Sequence, residues 1–282
     1  MKKRSFGSLL FLGAVLLVMY LPIIVVVIYS FNANTARIPV AFTGWTTSWY
    51  SKLFSGRGGF GGALLLSIRI ALWSVIIAGS IGTIGAIGMA QHALGHRKKA
   101  ARFDSVMESL VTLPIMIPEI ILGLAFMVIF NALDIRGNDM RLVLAHSTFC
   151  IPYVFLNVKS RLAGMDPALF DAARDLGASP SRVVRDITLP LCRPAIFSGC
   201  FLALAMSLDD FVISFFVYGA GEGTLPLKIY SSVKVGVSPQ VNALCTLIMG
   251  VVFIAVALSR YLSSMRSNRQ RKPNHAKALS HA

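Results

Sequence analysis

Charge is scarce in this sequence, and acid scarcer still. Asp, Glu, Lys and Arg make up 14% of the 282 residues, and only 12 residues are Asp or Glu. So thin a polar inventory cannot cover the surface of a soluble domain of this length, and the mean hydropathy of +0.70 agrees. Cysteine is sparse too. Cys150, Cys192, Cys200 and Cys245 are scattered without a C-x-x-C pair, so they read as small core residues and not as disulfides or metal ligands. Signatures of membrane enzymes are missing: no H-E-x-x-H and no G-x-S-x-G occurs. His92 and His96 share a helical face at i, i+4, but no third ligand accompanies them, and a solvated helix end is the expectation there. No G-x-x-x-x-G-K-[ST] occurs either, so any ATP hydrolysis must come from another polypeptide; the glycines of 55–62 (SGRGGFGG) lack the lysine and hydroxyl of a phosphate loop and read as a connector. No repeat relates the two halves, which argues against a repeat-built secondary transporter.

What the sequence does have is long apolar runs. A hydrocarbon core about 30 Å thick needs roughly 20 apolar residues per helical crossing. Six runs qualify: Leu9–Tyr29, Ala63–Ala90, Val106–Phe130, Leu142–Val158, Ala195–Tyr218 and Val241–Tyr261. The second carries Arg69 and the fourth is short. The first follows Met-Lys-Lys-Arg, yet it is longer than a signal-peptide core and no clean small-x-small site follows, so retention as a membrane helix is expected. The net charge of +15 is distributed unevenly. Of 27 Lys and Arg, 19 fall on the termini and on loops 97–102 and 159–193, 7 fall on the alternate loops, and Arg69 lies inside a run. The positive-inside rule then puts both termini in the cytoplasm, and the basic excess marks orientation and lipid contact instead of nucleic-acid binding.

Within this frame several features stand out. Trp45, Trp49 and Tyr50 suit an interfacial segment in the first external loop. Gly79, Gly82, Gly85 and Gly88 recur every third residue in the second run, which lets backbones approach closely. Pro114 and Pro118 each remove a backbone donor from the third run and should kink it where Glu119 follows. Glu119, Asp209 and Asp210 are acids within spans, where ionisable groups are costly and line a pathway or pair internally. Neighbours on a helix point about 100° apart, so Asp209 and Asp210 cannot face the same way; one of them could pair with a donor such as Arg69.

The connection between the fourth and fifth runs is long and internally punctuated. Asp166 is a good N-cap, Pro167 suits the first helical position, and Gly177 is placed to end the helix with a positive φ. Leu169, Ala172, Ala173 and Leu176 make an apolar stripe at i, i+3, i+4 and i+7 on a helix too short to span. Ser179-Pro180 repeats the cap, with Val183, Val184 and Ile187 as the next apolar face. The stripe needs something to cover it, in this chain or in a partner.

The residues Asp171-Ala172-Ala173, Gly177, Ile187, Leu189 and Pro190 resemble the EAA loop (E-A-A-x3-G-x9-I-x-L-P) of ABC-importer permeases, with Asp171 in place of the usual Glu. The stretches at 113–123 (LPIMIPEIILG), 207–211 (SLDDF) and 224–248 look like the permeases of spermidine/putrescine importers, specifically the second of the two. The resemblance implies an all-α polytopic fold of six transmembrane helices, type I (MetI-like), with a cytoplasmic coupling helix. It implies a cytoplasmic N-terminus over 1–8, a permease domain over 9–262 with its EAA loop at 166–190, and a basic cytoplasmic tail over 263–282. It further implies a heterodimer with a second permease, two ATPase subunits and a periplasmic substrate-binding protein in a bacterial inner membrane. The chain itself would bind no cofactor; ATP and Mg would be used by the partner ATPase. Asp171, Ala172, Ala173, Gly177, Ile187, Leu189 and Pro190 would couple to that ATPase, while Asp209, Asp210 and Glu119 would line the substrate path. The related permeases for iron, thiamine, phosphonates or sulfate share the EAA loop, so polyamine as substrate rests on the other stretches.

Overall fold

Proline and glycine mark several of the helix ends, as at Pro118, Gly164 and Gly177. The computed structural model describes residues 6–36, 41–55, 59–94, 98–219, 221 and 223–271, and the regular elements among them are helices. They fall into two compact units, Met1–Gly58 with Ser231–Ala282, and Gly59–Tyr230.

In the first unit, α1 (Phe6–Tyr29) packs against α12 (Pro239–Arg271), and α12 against the short α2 (Ser48–Phe54). Helix α1 is apolar on every face and exposed along its length, as a helix surrounded by lipid should be. After it the chain turns back on itself: the indole Nε1 of Trp49 donates to the Asn32 carbonyl at 2.8 Å, and the hydroxyls of Tyr50 and Ser30 meet at 2.7 Å. Tyr29, Phe31, Phe42, Trp45 and Tyr50 form a ring-to-ring cluster around that turn. The aromatic loop thus has a fold of its own, with Trp49 buried and Trp45 exposed. Helix α12 runs past Tyr261 to Arg271, into the segment expected as a basic tail; 272–282 lie outside the described residues.

The second unit is built on α3 (Phe60–Leu94), α6 (Asn138–Ala163) and α9 (Leu189–Asp209), which pack on one another around Val154, Phe155, Cys150 and Ala203. Small residues set the spacing. A Cβ on Gly82 would come within 3.0 Å of the Ile151 carbonyl and the Phe155 nitrogen of α6, and one on Gly199 within 2.9 Å of the Val154 Cα. The glycine stripe is therefore a contact face at Gly79 and Gly82 but an open one at Gly88. Cys150 and Cys192 are buried in this core, and none of the four cysteines is paired.

Among the described residues five helices are long and apolar enough to cross a membrane, and a bent pair supplies a sixth candidate. That pair is α4 (Lys98–Met116) and α5 (Glu119–Ala132), which meet at 102°. The break falls at Pro118, whose ring disfavours helical backbone at Ile117 and whose nitrogen cannot donate back along the chain. Pro118 is extended (φ −57°, ψ 131°) and its carbonyl receives the Ile121 and Leu122 N–H groups, so α5 begins afresh. Pro114 sits inside α4 without breaking it.

Two boundaries differ from expectation. The fourth span is longer than its uncharged run, because the charges at its ends have partners: Asp139 pairs with Arg69 and Lys159 with Glu108, while the Arg141 guanidinium donates to the Ile135 carbonyl at 2.6 Å. Arg69 therefore does not pair with Asp209 or Asp210. The fifth span ends at Asp209, and the chain restarts as α10 (Val212–Val217), which packs on α5. The start of α11 (Leu225–Val235) is held at the Ser67 hydroxyl by the Leu225 N–H, 2.8 Å.

Candidate functional site

The connection between α6 and α9 folds as its cap residues require. Helix α7 (Pro167–Asp175) starts where the Asp166 carboxylate accepts the Ala168 N–H at 3.0 Å, with Pro167 first in the helix. It ends at Gly177, φ +75°, in a paired closure: the Ala178 N–H reaches the Ala173 carbonyl at 3.0 Å and the Gly177 N–H the Arg174 carbonyl at 2.8 Å. Helix α8 (Pro180–Val183) then runs through a π-turn, Val184–Thr188, directly into α9. The wide turn lies just before Pro190, whose missing N–H leaves the Asp186 carbonyl without its usual i+4 donor. The loop expected to reach Arg193 is thus helical from Pro180 onward and continuous with the fifth span.

The apolar stripe of α7 divides between two faces. Ala173 is buried with Phe170 against Val183, with Ala178 and Ile187 alongside. Leu169, Ala172 and Leu176 point outward, Leu176 with 89% of its surface open. Asp171 is exposed beside them, its carboxylate 3.6 Å from Arg174. Leu189 packs on the main core, and Pro190 is half-buried. Beneath α7 lies a cavity of about 470 Å³, walled by the ends of α3, α4 and α6 and edged by the Glu108–Lys159 pair and Arg174.

The three acids separate. Glu119 opens α5 and Asp209 closes α9, both exposed, whereas Asp210 is buried. Asp210 is extended (ψ 119°) and caps α10: its carboxylate accepts the Ile213 N–H at 3.2 Å, the Ser214 N–H at 2.8 Å and the Ser214 hydroxyl at 2.7 Å. Helices α5 and α10 run alongside each other, joined where Gly123 meets Ile213 and Phe216. The far end of α10 is tied to the start of α6 by the Gly219 N–H on Asn138 Oδ1. Because α6 begins just after α5 ends, α5 and α10 point the same way, and their starts bring Glu119 and the aspartates to one end of the pair.

His146 had no assigned role in the sequence, yet it faces Asp210. Only 1% exposed, its Nδ1 lies 2.8 Å from the Ser207 hydroxyl, and its Nε2 lies 3.0 Å from the Ser214 hydroxyl and 3.3 Å from Asp210 Oδ2. A lone histidine inside the fourth run was the available signal. Among the described residues no group of three or more His, Cys, Asp or Glu could hold a metal ion, and His96 lies outside them.

The sequence profile of binding-protein-dependent transport system inner membrane components matches residues 82–269. The chain belongs to this family. The permease is 38% identical over 259 residues to the putrescine transport system permease protein PotI of Escherichia coli K12, covering 90% of this chain and 89% of that one. It is 38% identical over 253 residues to the spermidine/putrescine transport system permease protein PotC of the same strain, covering 90% and 92%. To PotC of Haemophilus influenzae it is 35% identical over 272 residues, covering 96% and 99%. Among solved structures it resembles a bacterial ABC transporter involved in import of the acidic polysaccharide alginate, at TM-score 0.67 and 15% identity over 93% of this chain and 99% of that one. It also resembles the MetNI methionine ABC transporter in inward-facing conformations, at TM-score 0.60 and 19% identity over 73% and 95%. At such identities what is shared is the fold, that of ABC-importer permeases. The permease is accordingly a multi-pass membrane protein and a transporter subunit, not an enzyme.

Proposed function

We propose that this permease is one of two different permeases in an ATP-driven importer of polyamines, putrescine or spermidine, with both of its termini in the cytoplasm. The observation that carries the substrate class is its 38% identity, over 90% of the chain, to permeases named for putrescine and spermidine/putrescine transport. Two ATPase subunits using ATP and Mg would power it, and a periplasmic binding protein would deliver substrate; the permease itself would hold no cofactor.

In this reading the outward face of α7, Leu169, Ala172 and Leu176 with Asp171, seats in a groove of the ATPase. On the inward face Ala173 keeps α7 packed on Val183, so the helix moves with α8. Movement there reaches the membrane through α8, the π-turn and α9, since the helix has no break between Pro180 and Asp209. At the other end of α9 the exposed carboxylates of Asp209 and Glu119 replace part of the hydration that ammonium groups lose. Their cost inside a membrane, about 2.5–3.5 kcal/mol each on insertion scales, is consistent with a path-lining role. Asp210, enclosed and fully engaged, supports the path from behind.

The test is uptake of labelled putrescine and spermidine by the reconstituted importer. Asp209→Asn and Glu119→Gln should each lower uptake about tenfold while the complex still co-purifies. Near-normal uptake in both variants would remove the path assignment, and transport of iron, thiamine, phosphonate or sulfate in place of polyamines would remove the substrate.

A further inference from the structure

We propose that His146 is a positioning residue of the transport path, locking the α9–α10 break to α6 so that Asp210 stays inside as a cap while Asp209 is held out. This rests on the reading of Asp209 as path-lining and adds the residue that aims it.

Two layers of contact define the break. The first is local: Asp210 caps α10 through the Ile213 and Ser214 N–H groups and the Ser214 hydroxyl. Nothing in that layer fixes where the break sits relative to the rest of the unit. The second layer does, and at the break itself it is an imidazole: His146 reaches Ser207 on α9 with one nitrogen and Ser214 on α10 with the other, 61 and 68 positions along the chain. One tautomer satisfies the whole set. With hydrogen on Nε2, His146 donates to the Ser214 oxygen, whose own hydrogen goes to Asp210, and Nδ1 accepts from Ser207. A polar ring this deep needs such partners. It stands eight residues into α6, about 12 Å along the helix from its start, a depth at which helix ends are not expected.

Replacing the ring with a methyl group leaves the local cap intact and removes the side-chain bridge from α6 to both sides of the break, while the Gly219–Asn138 bond beyond α10 remains. Asp209, adjacent to the cap, then loses its fixed direction. A group that merely filled core volume would act differently: any loss would appear in assembly and would not be repaired by another hydrogen-bonding side chain of similar reach.

The experiment reads the direction of residue 209 separately from transport. Asp209→Cys is introduced with Cys150, Cys192, Cys200 and Cys245 replaced by alanine, in the complete importer in membranes, and labelled with a water-soluble maleimide. His146→Ala should change the labelling rate at least fivefold. In the otherwise native chain, His146→Ala should lower maximal putrescine uptake at least tenfold with the ATPase and second permease still co-purifying, and His146→Gln should recover uptake to within about threefold of the native protein. Unchanged labelling, or loss of the complex in both His146 variants, overturns the positioning role. Normal uptake by Asp209→Asn instead overturns the path reading on which it rests, so the two failures are told apart.

Discussion

Gly177 is held at φ +75° with nothing within 4 Å of where a Cβ would stand, so the demand for glycine there is conformational and not steric. A β-branched residue in that region costs about 1–2 kcal/mol. Gly177→Val should therefore loosen the closure of α7 and weaken capture of the ATPase, while Gly177→Asn, which tolerates the left-handed region, should keep most of it; pull-down of the ATPase from membranes with equal permease content measures both. The aspartates give a sharper contrast. Asp209→Asn alters an exposed side chain, whereas Asp210→Asn puts an amide where a carboxylate accepts three hydrogen bonds, at a cost of about 1–3 kcal/mol. Thermal unfolding in detergent should show a lower midpoint for Asp210→Asn and little change for Asp209→Asn. That the two differ was legible in the sequence, since neighbours on a helix diverge. Which one turns inward was not, because it depends on a helix break stabilised by His146, far away in the chain. The caps of α7 were readable for the opposite reason: Asp166, Pro167 and Gly177 act on backbone within a few residues of themselves.

At the scale of elements, the spans were legible as apolar runs, and their ends were less so because charged residues at a helix end are hidden from a hydropathy count once they find partners. Asp139 with Arg69 and Lys159 with Glu108 extend α6 at both ends in this way. Pro118 was readable as a kink, but the size of the turn, 102°, was not, since α5 packs on α10, far along the chain. Close packing among α3, α6 and α9 depends on missing side chains, since apolar helices in lipid gain little from the hydrophobic effect and associate through contact. Gly199→Val would drive a Cβ to 2.9 Å from the Val154 Cα, and backbone cannot yield as a flexible side chain can. A destabilisation of about 1–3 kcal/mol is expected. Gly88→Val, with nothing within 4 Å, is the control. Yield of folded protein after detergent extraction should fall for the first and hold for the second.

At the scale of the molecule, the unit Gly59–Tyr230 has two chemically different ends. One gathers the end of α3, the beginning of α4, the end of α6, and α7 with α8, all around the cavity beneath α7. The other gathers the starts of α3 and α6, the end of α10 and the beginning of α11, with α10 tied to α6 by the Gly219–Asn138 hydrogen bond and α11 to α3 by the Leu225–Ser67 one. Basic residues crowd the first end, with Lys98, Lys99, Arg102, Lys159, Arg161, Arg174, Arg182 and Arg185, and are fewer at the second, with Arg69, Arg136, Arg141 and Lys228. Loops grouped by packing thus fall into the same two sets as loops grouped by charge, although neither grouping uses the other. Positive charge near short loops resists translocation, so the α7 end should lie in the cytoplasm. A reporter enzyme active only in the periplasm should be silent when fused after Gly177 and active when fused after Gly137, between α5 and α6. Activity after Gly177 would reverse the orientation of the whole unit and take the proposed ATPase docking face of α7 with it.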